Sequence, residues 1–150
     1  MTEPAQDHPL LVELVFRIQT YDIDFAGVVS NIVYIRWLED LRLKMLEEYF
    51  PLERVLAEGF IPILARTEID YLVPLRIGDR PVGQMWVAET GRARIDLQAE
   101  FRLGERVVAR ARQRGYFLDS HTMRTRPLPG PLRLSLGEPA TPAEPTKRVL

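Results

Sequence analysis

The chain has 150 residues, 46% of them hydrophobic and 27% charged, with a formal net charge of −1. That length fits one domain with one core, and a near-neutral chain without a basic block is not expected to bind nucleic acid. There is no cysteine, which excludes disulfides, thiolate catalysis and cysteine-metal sites.

Residues 1–9 are polar with two prolines and are expected to be flexible. Val12, Leu14, Phe16 and Ile18 alternate with Glu13, Val15, Arg17 and Gln19, the period of a half-buried strand. An acidic, glycine-containing loop follows, from Tyr21 to Ser30. From about Asn31 to Glu48 the chain has neither Gly nor Pro. Tyr34, Leu38, Leu41, Met45 and Tyr49 fall at helical spacing, with Val33, Trp37 and Leu46 widening the stripe. So broad an apolar face predicts a helix that is wrapped by other structure. Arg36–Asp40 and Asp40–Lys44 are placed to pair along its outer side.

Four strands are predicted next. Ile63, Ala65, Thr67, Ile69, Tyr71 and Val73 form one alternating row, and residues 81–90 form a less regular strand around Met85-Trp86-Val87. Ile95, Leu97, Ala99, Phe101 and Leu103 alternate cleanly with polar residues, and Gly104-Glu105 reads as a tight turn. Val107, Ala109, Ala111, Gln113 and Phe117 form the last row, in which Gln113 needs a hydrogen-bond partner, expected across a dimer interface. One strand, one long helix and four meandering strands make an α+β layout. Six of the twelve prolines lie between Pro127 and Pro145, so residues 130–150 read as a disordered tail and 10–129 as the domain.

No apolar run approaches the ~20 residues that span a bilayer, and the polar start has no signal-like segment. A cytoplasmic protein without membrane contact is the expectation. His8 and His121 stand far apart without ligand-like neighbours, so no metal is expected.

The chemistry concentrates in Tyr21-Asp22-Ile23-Asp24-Phe25-Ala26-Gly27-Val28-Val29-Ser30-Asn31-Ile32-Val33-Tyr34. Two acids arrive just before a helix start, where backbone N–H groups are unpaired and the helix dipole favours negative charge. A carboxylate beside such an oxyanion-binding terminus suits acyl transfer. Taken alone, Asp24 reads first as a turn residue or cap.

This segment resembles the hot-dog-fold thioesterases, closest to the 4-hydroxybenzoyl-CoA thioesterase-like group of acyl-CoA thioesterases. Further matches follow in that family's order: Glu68-Ile69-Asp70-Tyr71-Leu72-Val73-Pro74, Ile77-Gly78-Asp79 and Val108-Ala109-Arg110-Ala111. The resemblance covers roughly residues 10 to 128. It implies a hot-dog fold, a curved antiparallel sheet of about five strands wrapped around one long helix. It implies hydrolysis of an acyl- or aroyl-CoA thioester to a free acid and CoA, without a cofactor. Asp24 takes the catalytic carboxylate position. Asn31, at the helix start, joins it, and Gly27, Val28 and Tyr34 line the substrate and oxyanion site. Arg92 and Arg94 are candidates for the CoA phosphates, to which the planar guanidinium is suited.

The family assembles as homodimers or homotetramers with the active site between subunits, and acyl-carrier protein is a second carrier it implies. Many relatives have His or Tyr where this chain has Asn31, while another branch has Asn. An amide can orient a water but is no general base. That leaves a second reading open, a catalytically inert hot-dog domain that binds acyl-CoA or acyl-carrier protein.

Overall fold

The computed structural model describes residues 8–139. Five strands form one antiparallel sheet: β1 (Val12–Val15), β2 (Phe60–Tyr71), β3 (Val82–Thr90), β4 (Arg94–Leu103) and β5 (Arg106–Asp119). Their spatial order is β1-β3-β4-β5-β2, so β1 and β2 are the two edges. One long helix, α1 (Asn31–Tyr49), crosses the sheet's inner face, and two one-turn helices, α2 (Leu52–Ala57) and α3 (Gly130–Ser135), flank it. This is the hot-dog arrangement that the sequence implied.

The core lies between α1 and the inner face. Val33, Tyr34, Trp37, Leu38, Leu41 and Met45 are the buried side of the helix. They meet Met85 and Val87 of β3, Ile95, Leu97, Ala99 and Phe101 of β4, and Ala109, Ala111 and Phe117 of β5. Leu38, Leu41 and Phe101 are wholly inaccessible, and burying such a side chain stabilises by about 1.5–3 kcal/mol. Phe16, Tyr34, Trp37 and Phe101 form one aromatic cluster, with Phe16 and Trp37 stacked at 4.9 Å. The outer face carries the polar half of each alternation. Its acids and bases face one another across strands, as in the two-pronged Arg114–Asp96 pair at 2.8 and 3.2 Å.

The sheet has two distinct ends. At the first, Val15 pairs with Val82, Val82 with Arg102, and Tyr71 with Ala109. At the second, Arg94 pairs with Tyr116, and Tyr116 with Ile63. Eight residues of β4 separate Arg102 from Arg94, about 26 Å of strand.

Several expectations need correction. The row from Ile63 to Val73 is not continuous. The pairing of β2 with β5 slips between Leu64 and Arg66, so residues before and after the bulge present opposite sides for the same parity. On α1 the i, i+4 ion pair is Lys44–Glu48 at 3.3 Å, not the two expected. Gln113 finds its partners inside its own chain: Arg42 Nη1 donates to its Oε1 (2.7 Å), and its amide donates to Thr67 Oγ1 (3.0 Å).

The reading of residue 130 onward as disordered does not hold for 130–139. Leu132 and Arg133 of α3 are buried. The Arg133 guanidinium donates to the Pro139 carbonyl at 2.8 Å, and Glu138 accepts from Thr90 Oγ1 at 2.8 Å. Likewise His8 stacks on Trp86 at 4.0 Å, and the Pro9 carbonyl accepts the Val87 N–H. The rest of the expected flexible start and tail, residues 1–7 and 140–150, lies outside the described residues.

Candidate functional site

The acidic loop is a narrow hairpin that delivers the chain into α1. Thr20–Asp22 form one 3-10 turn. Asp22 is buried, and its Oδ2 accepts the Gln19 N–H at 2.8 Å, while its carbonyl accepts the Ser30 N–H at 2.8 Å. Asp22 therefore fixes the loop's base. Beyond it, Ile23 and Val29 bridge, and the Asp24 N–H donates to the Val28 carbonyl at 2.9 Å. The Val29 N–H donates to the Leu75 carbonyl and ties the hairpin to the segment after β2.

At the tip, Asp24 Oδ1 accepts the Ala26 N–H at 2.8 Å, and its carbonyl accepts the Gly27 N–H at 3.0 Å. Gly27 sits at φ +76 with open space where a Cβ would stand, so the requirement is conformational and not steric. Asp24 is half-buried, and its Oδ2 has no hydrogen-bond partner among the described residues. Val28 is half-buried and Phe25 fully exposed.

Asn31 opens α1 and is exposed. The side chain of Ser30, the cap residue, makes no capping bond, so the first N–H groups of α1, those of Asn31 and Ile32, have no partner among the described residues. These are the donors that a helix start leaves over. Tyr71, at the end of β2, donates its hydroxyl to the Asn31 carbonyl at 3.2 Å and so holds the helix start against the sheet. Tyr71 also lies edge-on to Tyr34, 5.2 Å away. Tyr34 is buried, and burial, with Tyr71 adding, pushes its phenol up to about 12. Its phenol is therefore protonated at neutral pH. Tyr71 was absent from the expected site residues, although it stands in a matched motif. Its link to Asn31 depends on how the strands pair.

Asp24, Gly27, Val28, Asn31 and Tyr34 thus come together at the first end of the sheet. Arg92 and Arg94 do not. They lie in and just after the β3–β4 turn, at the second end. Arg94 is half-buried with ion pairs to Glu89 (3.4 Å) and Asp96 (3.3 Å), which neutralise it. Arg92 is exposed, with no ion pair among the described residues.

The second end also holds an apolar groove of about 270 Å³ between α1 and the sheet, with Leu43 and Leu46 on one side and Ile63, Leu64 and Tyr116 on the other. Gly115 also lines it, at a position where a Cβ would stand 2.9 Å from the Ile63 carbonyl. A larger recess, about 460 Å³, lies on the outer face among Glu68, Asp70, Glu100, Arg110 and Arg112. Its charges face each other, as in Arg110–Glu100 at 3.6 Å, and the sheet separates it from α1.

The sequence profile of the thioesterase-like superfamily matches residues 18–136. Three solved structures illustrate the similarity in fold. A 1,4-dihydroxy-2-naphthoyl-CoA thioesterase from Synechocystis superposes with a TM-score of 0.77 at 20% identity, over 88% of this chain and 99% of that one. A gentisyl-coenzyme A thioesterase gives 0.73 at 20% identity, over 81% and 99%. A Staphylococcus aureus protein solved in complex with CoA gives 0.80 at 14% identity, over 96% and 94%.

Proposed function

The chain belongs to the thioesterase-like superfamily, and from that premise we propose that it hydrolyses acyl-CoA thioesters to a free acid and CoA. The observation that carries this reading is Asp24. Among the described residues its carboxylate keeps one oxygen without a partner at a hairpin tip, directly ahead of a helix whose first N–H groups are likewise unpaired. Asp24 attacks the thioester carbonyl or takes the proton of the water that does. When water attacks, its proton passes through Asp24 to the departing CoA sulfur as the C–S bond breaks. When Asp24 attacks, the C–S bond breaks to give an Asp24–acyl anhydride, and the CoA thiolate takes a proton from solvent. Water then hydrolyses the anhydride, releasing the acid and restoring the carboxylate. The N–H groups at Asn31 hold the carbonyl oxygen as charge gathers on it, a contribution of ~3 kcal/mol per donor. Gly27 and Val28 let the substrate approach the backbone, and Tyr34 walls the site.

The site is read as shared between two copies. The acyl groove lies at the second end of the sheet and Asp24 at the first. β2 is an unpaired edge. A second copy that pairs its β2 antiparallel around a two-fold axis sets its Tyr71 end, and with it Asn31 and Asp24, against the Ile63–Leu64 end of the first copy. The same operation brings Arg92 to that composite site, where its exposed guanidinium suits a CoA phosphate. Exposed Tyr21, Phe25, Ile32, Leu72 and Ile77 around the loop support a covered surface there.

A panel of acyl-CoA and aroyl-CoA thioesters, followed by release of free thiol, tests the activity. Asn31 favours the second reading, since neither an amide nor a protonated Tyr34 serves as a general base beside Asp24. Binding of acyl-CoA without any turnover in the panel would establish an inert binding domain.

A further inference from the structure

The apolar groove has one cationic wall. Arg42 projects from α1 beside Leu43 and Leu46, and its guanidinium reaches the inner face of the sheet. It is half-buried, and burial holds it below its ordinary basicity, with Glu39 one turn earlier opposing that shift. Its one hydrogen bond among the described residues goes to a neutral amide, Gln113 Oε1 at 2.7 Å. That amide is itself fixed by Thr67, so the guanidinium is held in place. No carboxylate forms an ion pair with it among the described residues, although eight other basic side chains on this chain have one. A partly desolvated cation without an acid is costly unless an anion completes it. Its remaining N–H donors offer the planar fork that matches a carboxylate.

We propose that Arg42 reads the far end of the acyl group, so that the groove takes acyl chains that end in a carboxylate. The inference rests on the thioesterase reading above, because it assigns the groove to the acyl group. The groove's volume suits an acyl group but not the whole thioester, being below the ~300–1,000 Å³ of sites that enclose a drug-sized ligand. Its apolar sides accept methylenes, and the half-buried Arg42 guanidinium discriminates between chain ends. Omega-carboxyacyl thioesters are therefore the substrate class, and Arg42 determines specificity. Glu39 works against it, since its charge at the rim repels the same carboxylate.

The test compares hexanoyl-CoA with adipoyl-CoA, which have equal carbon number and differ in the terminal carboxylate. The wild type should favour adipoyl-CoA at least tenfold in kcat/KM. Arg42→Met should lose that ratio through KM, Arg42→Lys should keep part of it, and Glu39→Gln should raise it. A wild type without preference would overturn the proposal. So would an Arg42→Met variant that slows both thioesters equally. If Arg42→Met does not fold by circular dichroism, Arg42→Lys and Glu39→Gln must still move the ratio in opposite directions. If neither thioester is hydrolysed, the thioesterase reading fails. The Arg42 reading is then decided by calorimetry with the two non-hydrolysable thioether analogues: tighter binding of the acid-ended one, raised further by Glu39→Gln, supports it, and equal binding ends it.

Discussion

Asp22 is buried with its carboxylate on the Gln19 N–H, while Asp24, two residues on, has one oxygen without a partner among the described residues. The two should respond differently to the same change. Asp24→Asn keeps the shape and removes the charge, so thioester hydrolysis should fall ~100-fold or more with the melting temperature nearly unchanged. Asp22→Asn exchanges a charged acceptor for a neutral one on the part-buried Gln19 N–H, at a cost of about 1 kcal/mol, so it should lower the melting temperature first. Kinetics and thermal melts on both variants separate these outcomes.

Tyr34 gives a pH signature. Its folded value, about 12, lies above the ordinary 10, so folding favours the protonated phenol. Its contribution is complete below pH 10 and is lost as pH rises from there through about 12. Tyr34→Phe should flatten the fall in stability over that window, measured by urea titrations at stepped pH.

Among the elements, α3 is one that local pattern hides. It begins after Pro129 with Pro131 inside its first turn, and prolines in a row read as a breaker. Yet Pro at the start of a helix costs no hydrogen bond, and Leu132 then packs into the core cluster. Truncation after Leu128 removes Leu132 and the Arg133–Glu138 clamp on Thr90, and should cost about 2–5 kcal/mol. A truncated chain with an unchanged melting temperature would contradict this packing. α2, after Pro51, is hidden for the same reason. By contrast, β4 and α1 are legible from end to end, because an unbroken period of two or of 3.6 in a half-buried element is its own evidence. The bulge at Leu64/Arg66 has no sequence signature, and it alone breaks an otherwise continuous row. The acidic loop stands out in the sequence as a loop leading into a helix, through the order of its residues. What no local pattern carries is that Arg92 lies at the other end of the sheet from Asp24, since that follows from which strands pair.

For the whole molecule, the shared site proposed above would make assembly a condition of activity. The protein should run as a dimer or larger in light scattering at micromolar concentration. A mass of one chain would refute the shared site. Complementation is more direct. Asp24→Asn and a groove-blocked Leu43→Trp variant should each be inactive alone. Mixed and allowed to exchange, half of the dimers carry one intact composite site of two, so activity should return to roughly a quarter of wild type. No recovery would place groove and carboxylate on one chain.

The strand order has a temporal side as well. β2 is the second strand to leave the ribosome but pairs with the last, and Phe60 waits for Asp119. Until β5 exists, β2 has no neighbour in its own chain, and Ile63 and Leu64 are presented to whatever else is near. Such distant pairing is slow to form, in the millisecond-to-second range for sheet-rich domains, and an unpaired apolar strand is where nascent chains stick to one another. Expression yield and refolding efficiency should therefore depend most on the residues of this edge, and a charge at Leu64 should raise soluble yield even as it weakens the assembled protein.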